Sequence, residues 1–87
     1  MSDVARIRAE ILHQCEKRAP DRTICPSEVA RALWPSDWRD HMGEVRDVGT
    51  EMARASEIQI TQRGLLRDPH DEILGAIRYR QTKTLKL

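Results

Sequence analysis

The chain begins with a run in which apolar side chains recur at intervals of three and four residues. This spacing places them along one side of a helix, with polar residues on the other. The stripe consists of Val4, Ile7, Ile11, Leu12 and Cys15. Asp3 is a favourable capping residue, and Pro20 prevents helical continuation. The pattern therefore predicts a first helix from Asp3 to about Lys17.

A second helix start follows at a proline. Pro26 suits the first turn of a helix, with Cys25 before it at the cap position. Glu28 lies three residues after Cys25, which is the spacing of a capping box. The pattern predicts a second helix over Pro26–Leu33, ended by Pro35.

Ser36 or Asp37 then caps a predicted third helix of roughly twenty residues, which ends near Ser56. On a helical wheel its apolar residues collect on one side. They are Trp38, Met42, Val45, Val48, Gly49 and Met52.

The period changes from helical to two in the last third of the chain. Residues 57–61 (EIQIT) and 76–80 (AIRYR) both alternate apolar and polar side chains, which is typical of half-buried strands. In the second segment Ile77 and Tyr79 are predicted to face the core, and the neighbouring arginines face the other way. A further short extended segment is predicted at residues 23–25.

Three helices followed by a hairpin predict a winged helix-turn-helix, mainly α with a two- or three-stranded antiparallel sheet. The second and third helices form the helix-turn-helix. Residues 63–76, which open with the turn-forming pair Arg63–Gly64, form the wing. The chain 1–87 is predicted to be one domain, with residues 81–87 extending the last strand or fraying.

Composition places the chain among globular proteins. Its 87 residues carry 15 basic and 14 acidic side chains, and no phenylalanine is present, so aliphatic residues, methionines and the two tryptophans must supply the core. No run of about 18 apolar residues occurs, so no membrane association is expected. Charges interrupt the first residues too often for a signal peptide, which predicts a cytoplasmic location.

The segment ICPSEVARALWPSDWRDHMGEVRDV, followed by IQITQRG, DP and GAIRYR, resembles a small bacterial winged-helix family of unknown function. The similarity covers residues 23–80. It implies a winged-helix fold, and it implies no activity, because that of the family is not established.

The third helix is the segment that would enter a DNA groove in helix-turn-helix docking. Its outer face is divided lengthwise into a basic and an acidic flank. The basic flank consists of Arg39, Arg46, Thr50 and Arg54. Between residues 37 and 57 three basic side chains stand against six acidic ones, a net charge of −3. This balance works against phosphate binding, since most affinity for nucleic acid comes from neutralising phosphates.

Nucleic-acid binding is nevertheless one hypothesis, for DNA or RNA. The predicted contacts are the basic flank of the third helix and three arginines in or beside the wing. The wing contacts are Arg63, Arg78 and Arg80. The alternative for the helix is a solvated charged face, and the alternative for the last strand is that its cations keep an edge soluble.

A protein-interaction or homodimer surface is the second hypothesis. The wing contains four large apolar residues, more than a soluble loop needs. They are Leu65, Leu66, Ile73 and Leu74. The alternative is that they fold back over the core.

No catalytic constellation is evident. Cys25 is the only candidate nucleophile, since a thiol at a helix start can have a lowered pKa, but no histidine is near it in sequence. His13, Cys15 and Cys25 lack a recognised zinc-site spacing. The sequence predicts a domain that is not an enzyme, with no metal and no cofactor. Trp34 and Trp38 are interpreted as packing residues of the helix-helix turn, with stacking on unpaired bases as the alternative.

Overall fold

The computed structural model describes residues 2–18 and 22–82. Within them the chain forms three α-helices, one 3-10 helix and three strands. In chain order these are α1 (Asp3–Lys17), α2 (Pro26–Leu33), the 3-10 helix (Trp38–His41), α3 (Met42–Arg54), β1 (Ile58–Gln62), β2 (Leu65–Arg67) and β3 (Arg78–Gln81). The strands make one antiparallel sheet in the order β2–β1–β3. The predicted three helices with a small antiparallel sheet are confirmed, and the arrangement is consistent with a winged helix.

The first helix is capped one residue earlier than predicted. The Ser2 hydroxyl accepts a hydrogen bond from Ala5 N–H at 3.2 Å, and Asp3 is already helical. The predicted apolar stripe of α1 includes residues that do not pack against the core. Its buried members are Ile7, Ile11 and Cys15, and its exposed members are Val4 and Leu12.

The second helix has the predicted bounds. Glu28 Oε2 accepts the Cys25 N–H at 2.7 Å, which satisfies a donor that would otherwise be unpaired at the helix start. The other carboxylate oxygen of Glu28 accepts from Arg18 at 2.6 Å, so the same side chain also ties α2 to the end of α1.

The third helix differs from the prediction at both ends. A 3-10 turn precedes α3, and the Asp37 side chain does not cap it but contacts His41 instead. The helix ends at Arg54 because Ser56 adopts a left-handed backbone conformation with φ of 62°, which a right-handed helix cannot include. The predicted core side is confirmed for Val45, Val48, Gly49 and Met52, which are buried together with Ala53.

The hairpin β1–β2 turns at Arg63 and Gly64, whose φ values of 54° and 80° belong to a two-residue type I′ turn. The sequence pattern did not predict β2. Of the extended segment predicted at residues 23–25, only Ile24 pairs with the sheet, through a bridge to Tyr79. The last strand is therefore bordered by β1 on one side and by Ile24 on the other.

The core lies between the helices and one face of the sheet, and Tyr79 is its largest fully buried side chain. Gln81 ends β3, and the Thr82 hydroxyl donates to the Ser56 carbonyl at 3.0 Å. The rest of the predicted tail, residues 83–87, and part of the connector after α1, residues 19–21, lie outside the described residues. No helix in the described ranges is long and apolar enough to cross a membrane.

Candidate binding surfaces on the third helix and the wing

The basic flank of α3 packs against the wing instead of facing solvent alone. The Arg46 guanidinium donates to the carbonyls of Gly75 at 2.9 Å and Ile73 at 3.2 Å. Arg54 Nε donates to the Pro69 carbonyl at 3.1 Å, and its Nη1 pairs with Glu51. These two predicted nucleic-acid contacts therefore hold the segment between β2 and β3 against the helix.

Gln62 completes this anchoring, and sequence reasoning missed it. Its side-chain amide donates to the carbonyls of Leu74 at 2.6 Å and Ala76 at 3.3 Å, and its carbonyl oxygen accepts from Arg67. Together Arg46 and Gln62 satisfy four consecutive carbonyls, those of residues 73–76. No motif marks a lone glutamine at a strand end as such an anchor.

The other two members of the flank also have contacts within the domain. The Thr50 hydroxyl donates to the Arg46 carbonyl at 2.9 Å, a bond back to its own helix. The Arg39 guanidinium lies 4.4 Å from the centre of the Trp38 ring, and Arg31 lies 4.3 Å from it. Arg39 remains exposed, so its cation is accessible.

The three arginines in or beside the wing are dispersed. Arg78 donates to the hydroxyl and carbonyl of Thr23, and Arg80 donates to Gln59 Oε1 at 2.7 Å. Both lie on the sheet face opposite Ile60 and Tyr79, and therefore opposite the core and α3. Arg63 is exposed at the hairpin turn and forms no hydrogen bond within the described residues. The predicted cations thus do not converge on one face.

The acidic flank of α3 is exposed along its length. Its members are Glu44, Asp47 and Glu51, and Asp40 in the 3-10 helix extends it. The His41 ring nitrogens lie 3.1 Å from Glu44 Oε1 and 3.2 Å from Asp37 Oδ2. Burial lowers the pKa of His41, but the hydrogen bonds and charges of Asp37 and Glu44 outweigh it and raise this pKa above its usual value. A cationic His41 neutralises part of the negative charge at the start of the helix.

Three of the four apolar wing residues are exposed. The exposed fractions are 69% for Leu65, 59% for Leu66 and 74% for Leu74. Ile73 is partly buried against the core. The expectation that the wing residues fold back over the core is therefore correct for Ile73 and wrong for the leucines.

Leu65 and Leu66 belong to a strand with an open edge. Because β2 is the outer strand of the sheet, one side of its backbone has no partner strand. The two-residue turn makes Gln62 and Leu65 the hydrogen-bonded pair that closes the hairpin, so Thr61 and Leu66 are the next, non-hydrogen-bonded pair. The N–H and C=O of Leu66 consequently point away from β1, towards the open edge.

The two tryptophans are partly buried against the core, as their packing interpretation expects. The Trp34 ring stacks on His41 with centroids 3.8 Å apart and an angle of 5° between the planes. One face of Trp34 is therefore already covered within the domain, and Trp38 is flanked by arginines.

The thiols lie apart from these surfaces. Cys15 is buried, and burial raises its pKa to about 11. Cys25 is half-buried and accepts a hydrogen bond from the Ser27 hydroxyl at 3.1 Å. Both cysteines are free. Among residues 2–18 and 22–82 no group of three or more His, Cys, Asp or Glu side chains is placed to hold a metal ion.

A cleft of about 430 Å³ opens between the end of α3 and the strands β1 and β2. Ala53, Ile58 and Ile60 give it an apolar floor, and the charged residues in its lining are Arg67 and Asp68. The cleft adjoins the open edge of β2 and extends the apolar character of this end of the domain.

The sequence of residues 4–82 matches the model of a family described as proteins of unknown function (DUF3253). The chain belongs to the DUF3253 family. This match covers nearly all of the described structure and confirms the resemblance to a family of unknown function. No curated protein matches the chain.

Proposed function

We propose that this DUF3253 domain is a non-catalytic binding module that binds a protein through the outer edge of its wing. The wing edge is defined here as strand β2 together with Leu74. The observation that carries the proposal is that three exposed leucines accompany a strand with one unpaired edge in a chain of 87 residues.

The anchoring of the wing supports this proposal. Arg46, Arg54 and Gln62 hold the segment after β2 through its backbone carbonyls, so the leucines are presented on a fixed support. A fixed surface loses less conformational entropy on binding than a mobile loop does. Edge strands normally carry charges or prolines that block pairing, whereas two of the three residues of β2 are leucines and only the last, Arg67, is charged.

Photo-crosslinking tests the proposal. A photoreactive amino acid replaces Leu66 or, as the matched control, Glu44 on the acidic flank of α3, and the domain is irradiated at high concentration in an extract of the cells that produce it. We expect a defined protein adduct at position 66 and not at position 44. Excess unlabelled domain should abolish an adduct with a different protein, and excess Leu66→Lys domain should not, whereas an adduct with a second copy of the domain persists when unlabelled domain is added. No adduct at position 66, or the same adducts at both positions, contradicts the proposal.

Nucleic-acid binding is the second candidate, and the exposed guanidinium groups favour it. Arg63 at the hairpin turn and Arg39 beside Trp38 are accessible to phosphates. The acidic flank opposes this function, as does the internal use of Arg46, Arg54, Arg78 and Arg80.

Fluorescence anisotropy with duplex DNA, single-stranded DNA and RNA separates the two candidates. Nucleic-acid binding requires micromolar or tighter affinity at about 50 mM salt, a steep salt dependence, and weakening by Arg63→Ala. Absence of binding at that salt concentration excludes the second candidate, since electrostatic affinity is then near its highest.

A further inference from the structure

We infer that the partner of the wing edge is a second copy of this chain, bound by antiparallel pairing of β2 with β2 about a two-fold axis at Leu66. This inference rests on the proposed protein-binding function and specifies its partner. Four features of the edge lead to it: its backbone groups, its side chains, its charges and its size.

The backbone of β2 is complementary to itself. The outward N–H and C=O of Leu66 can exchange two hydrogen bonds with Leu66 of the second copy, which is the closely spaced pair of an antiparallel ladder. Pairing in this register joins two three-stranded sheets into one six-stranded sheet and removes the open edge from both copies.

The side chains follow the same symmetry. Leu66 shares a sheet face with Thr61 and Arg78, and the axis places it against Leu66 of the second copy on that face. Leu65 projects on the other face, at the hairpin end. Both exposed leucines of β2 therefore lose contact with water when the edges meet.

The charges identify a second copy as the partner, because the two ends of β2 carry opposite signs. Arg63 precedes the strand, and Arg67 ends it, followed by the acidic Asp68, Asp71 and Glu72, so the second end is negative overall. Strands pair about 4.8 Å apart, and in this register Gly64 lies opposite Asp68 of the second copy. Arg63 therefore lies beside that carboxylate, and the two-fold axis creates this contact twice.

The small size of the edge determines the strength of the pairing. Three leucines and one short strand bury less than the area of a stable interface, which is about 1,200–2,000 Å². The dimer is accordingly weak and reversible, and it forms at high protein concentration. The net charge of +1 offers little overall repulsion to self-association.

Charge reversal combined with mixing tests the inference by sedimentation equilibrium. Arg63→Glu and Asp68→Arg each place like charges together at both contacts, so each variant alone should associate at least about tenfold more weakly than wild type. Mixed in equal amounts, the two variants form a heterodimer in which both contacts are again of opposite charge. We expect the mixture to regain association to within about threefold of wild type.

A disulfide test remains informative if Asp68→Arg disturbs the local turn, because Asp68 Oδ1 accepts from His70 N–H. In a Cys25→Ser background, Leu66→Cys should form a covalent dimer under mild oxidation, since paired Cα atoms about 5.5 Å apart suit a disulfide. The matched control Val4→Cys, which lies on α1 and is about as exposed as Leu66, should remain monomeric.

A wild-type chain that stays monomeric at millimolar concentration overturns the dimer, as does equal disulfide formation at positions 66 and 4 or a mixture that fails to associate. The photo-crosslinking result then decides the broader proposal. An adduct of Leu66 with a different protein leaves the protein-binding function standing, and the absence of any adduct removes both.

Discussion

Tyr79 fills the space beside Gly49 that a side chain on α3 would otherwise occupy. A Cβ atom built on Gly49 would lie 2.8 Å from the Tyr79 ring carbon Cε1, and closer still to Cζ and the hydroxyl oxygen. Tyr79 is fully buried and cannot move aside into solvent. Gly49 is therefore explained by close packing, whereas Gly43 on the same helix has nothing within 4 Å of such an atom.

These two glycines give a matched pair of substitutions. Gly49→Ala should destabilise the domain by about 1–3 kcal/mol, because the added methyl group overlaps a buried ring. Gly43→Ala should leave stability unchanged or raise it by up to about 1 kcal/mol, since alanine favours helix and the space is open. Urea unfolding followed by circular dichroism measures both. A loss of stability in Gly43→Ala equal to that in Gly49→Ala contradicts the packing explanation.

His41 should make stability depend on pH. Asp37 and Glu44 raise its pKa in the folded state, so its contribution is complete below the unfolded pKa of about 6.5 and is lost as pH rises through the raised value. The stability difference between wild type and His41→Gln should therefore be larger at about pH 6 than at about pH 9. Urea midpoints of both proteins at the two pH values measure it.

Asp37→Asn supplies the control for this prediction. The substitution removes one of the two carboxylates beside the imidazole ring and should therefore lower the pKa of His41. An NMR titration of the imidazole protons detects this change. An unchanged His41 titration in this variant contradicts the assigned cause.

At the scale of elements, the part of the wing between β2 and β3 is a loop held by side chains instead of by strand pairing. The carbonyls of residues 73–76 accept hydrogen bonds from Arg46 and Gln62, and that of Pro69 accepts from Arg54. A segment without secondary structure stays ordered when its polar backbone groups find partners. The position of the wing therefore depends on a few donors on α3 and β1.

Arg46→Met should release this loop. It keeps the apolar stem and removes two charged donors, so we expect a stability loss of about 1–2 kcal/mol. Amide exchange should quicken in residues 73–76 and remain slow in α1. Arg39→Met is the control, because Arg39 lies on the same flank but contacts Trp38. Similar exchange changes in both variants contradict the tethering role of Arg46.

Sequence reasoning predicted the helices well because the residues that start, end and line each helix are close together in the sequence. Pro26 and Pro35 bracket α2, and periodic apolar residues mark α1 and α3. The sequence pattern did not predict β2, because its residues LLR do not alternate between apolar and polar. Its pairing with β1 is imposed by the turn at Arg63 and Gly64. A strand so short has too few residues to show a period.

The candidate site was harder to predict than the elements. A helical wheel shows that Arg46 and Arg54 share a flank, but their partners are backbone carbonyls far along the chain. Every residue has a carbonyl, so no residue type signals that role. The excess of leucines in the wing was visible in the sequence. Whether these leucines are exposed could not be predicted, because it depends on how the loop held by Arg46 and Gln62 packs.

At the scale of the whole molecule, one bridge connects the start of α2 to the last strand. Ile24 and Tyr79 exchange two backbone hydrogen bonds, each 2.8 Å long. Both residues are buried, and Tyr79 also faces Ile60 across the sheet. The bridge thus joins the helical part of the domain and the sheet into one cooperative unit.

The amides of Ile24 and Tyr79 should therefore exchange only when the whole domain unfolds. Hydrogen exchange followed by NMR in dilute solution should give both amides the free energy of global unfolding measured in urea. The amide of Leu66, which points to the open edge, should exchange much faster. Exchange of Ile24 by local opening contradicts the cooperative unit.

The same bridge has a consequence for the order of folding. Most of the chain lies between Ile24 and Tyr79, so their pairing closes a long loop, and the entropy of that closure opposes it until other contacts have formed. The helices and the β1–β2 hairpin need only local contacts. We therefore expect β3 to join the sheet last during folding. The Tyr79 ring then packs into the space beside Gly49, and this contact completes the core.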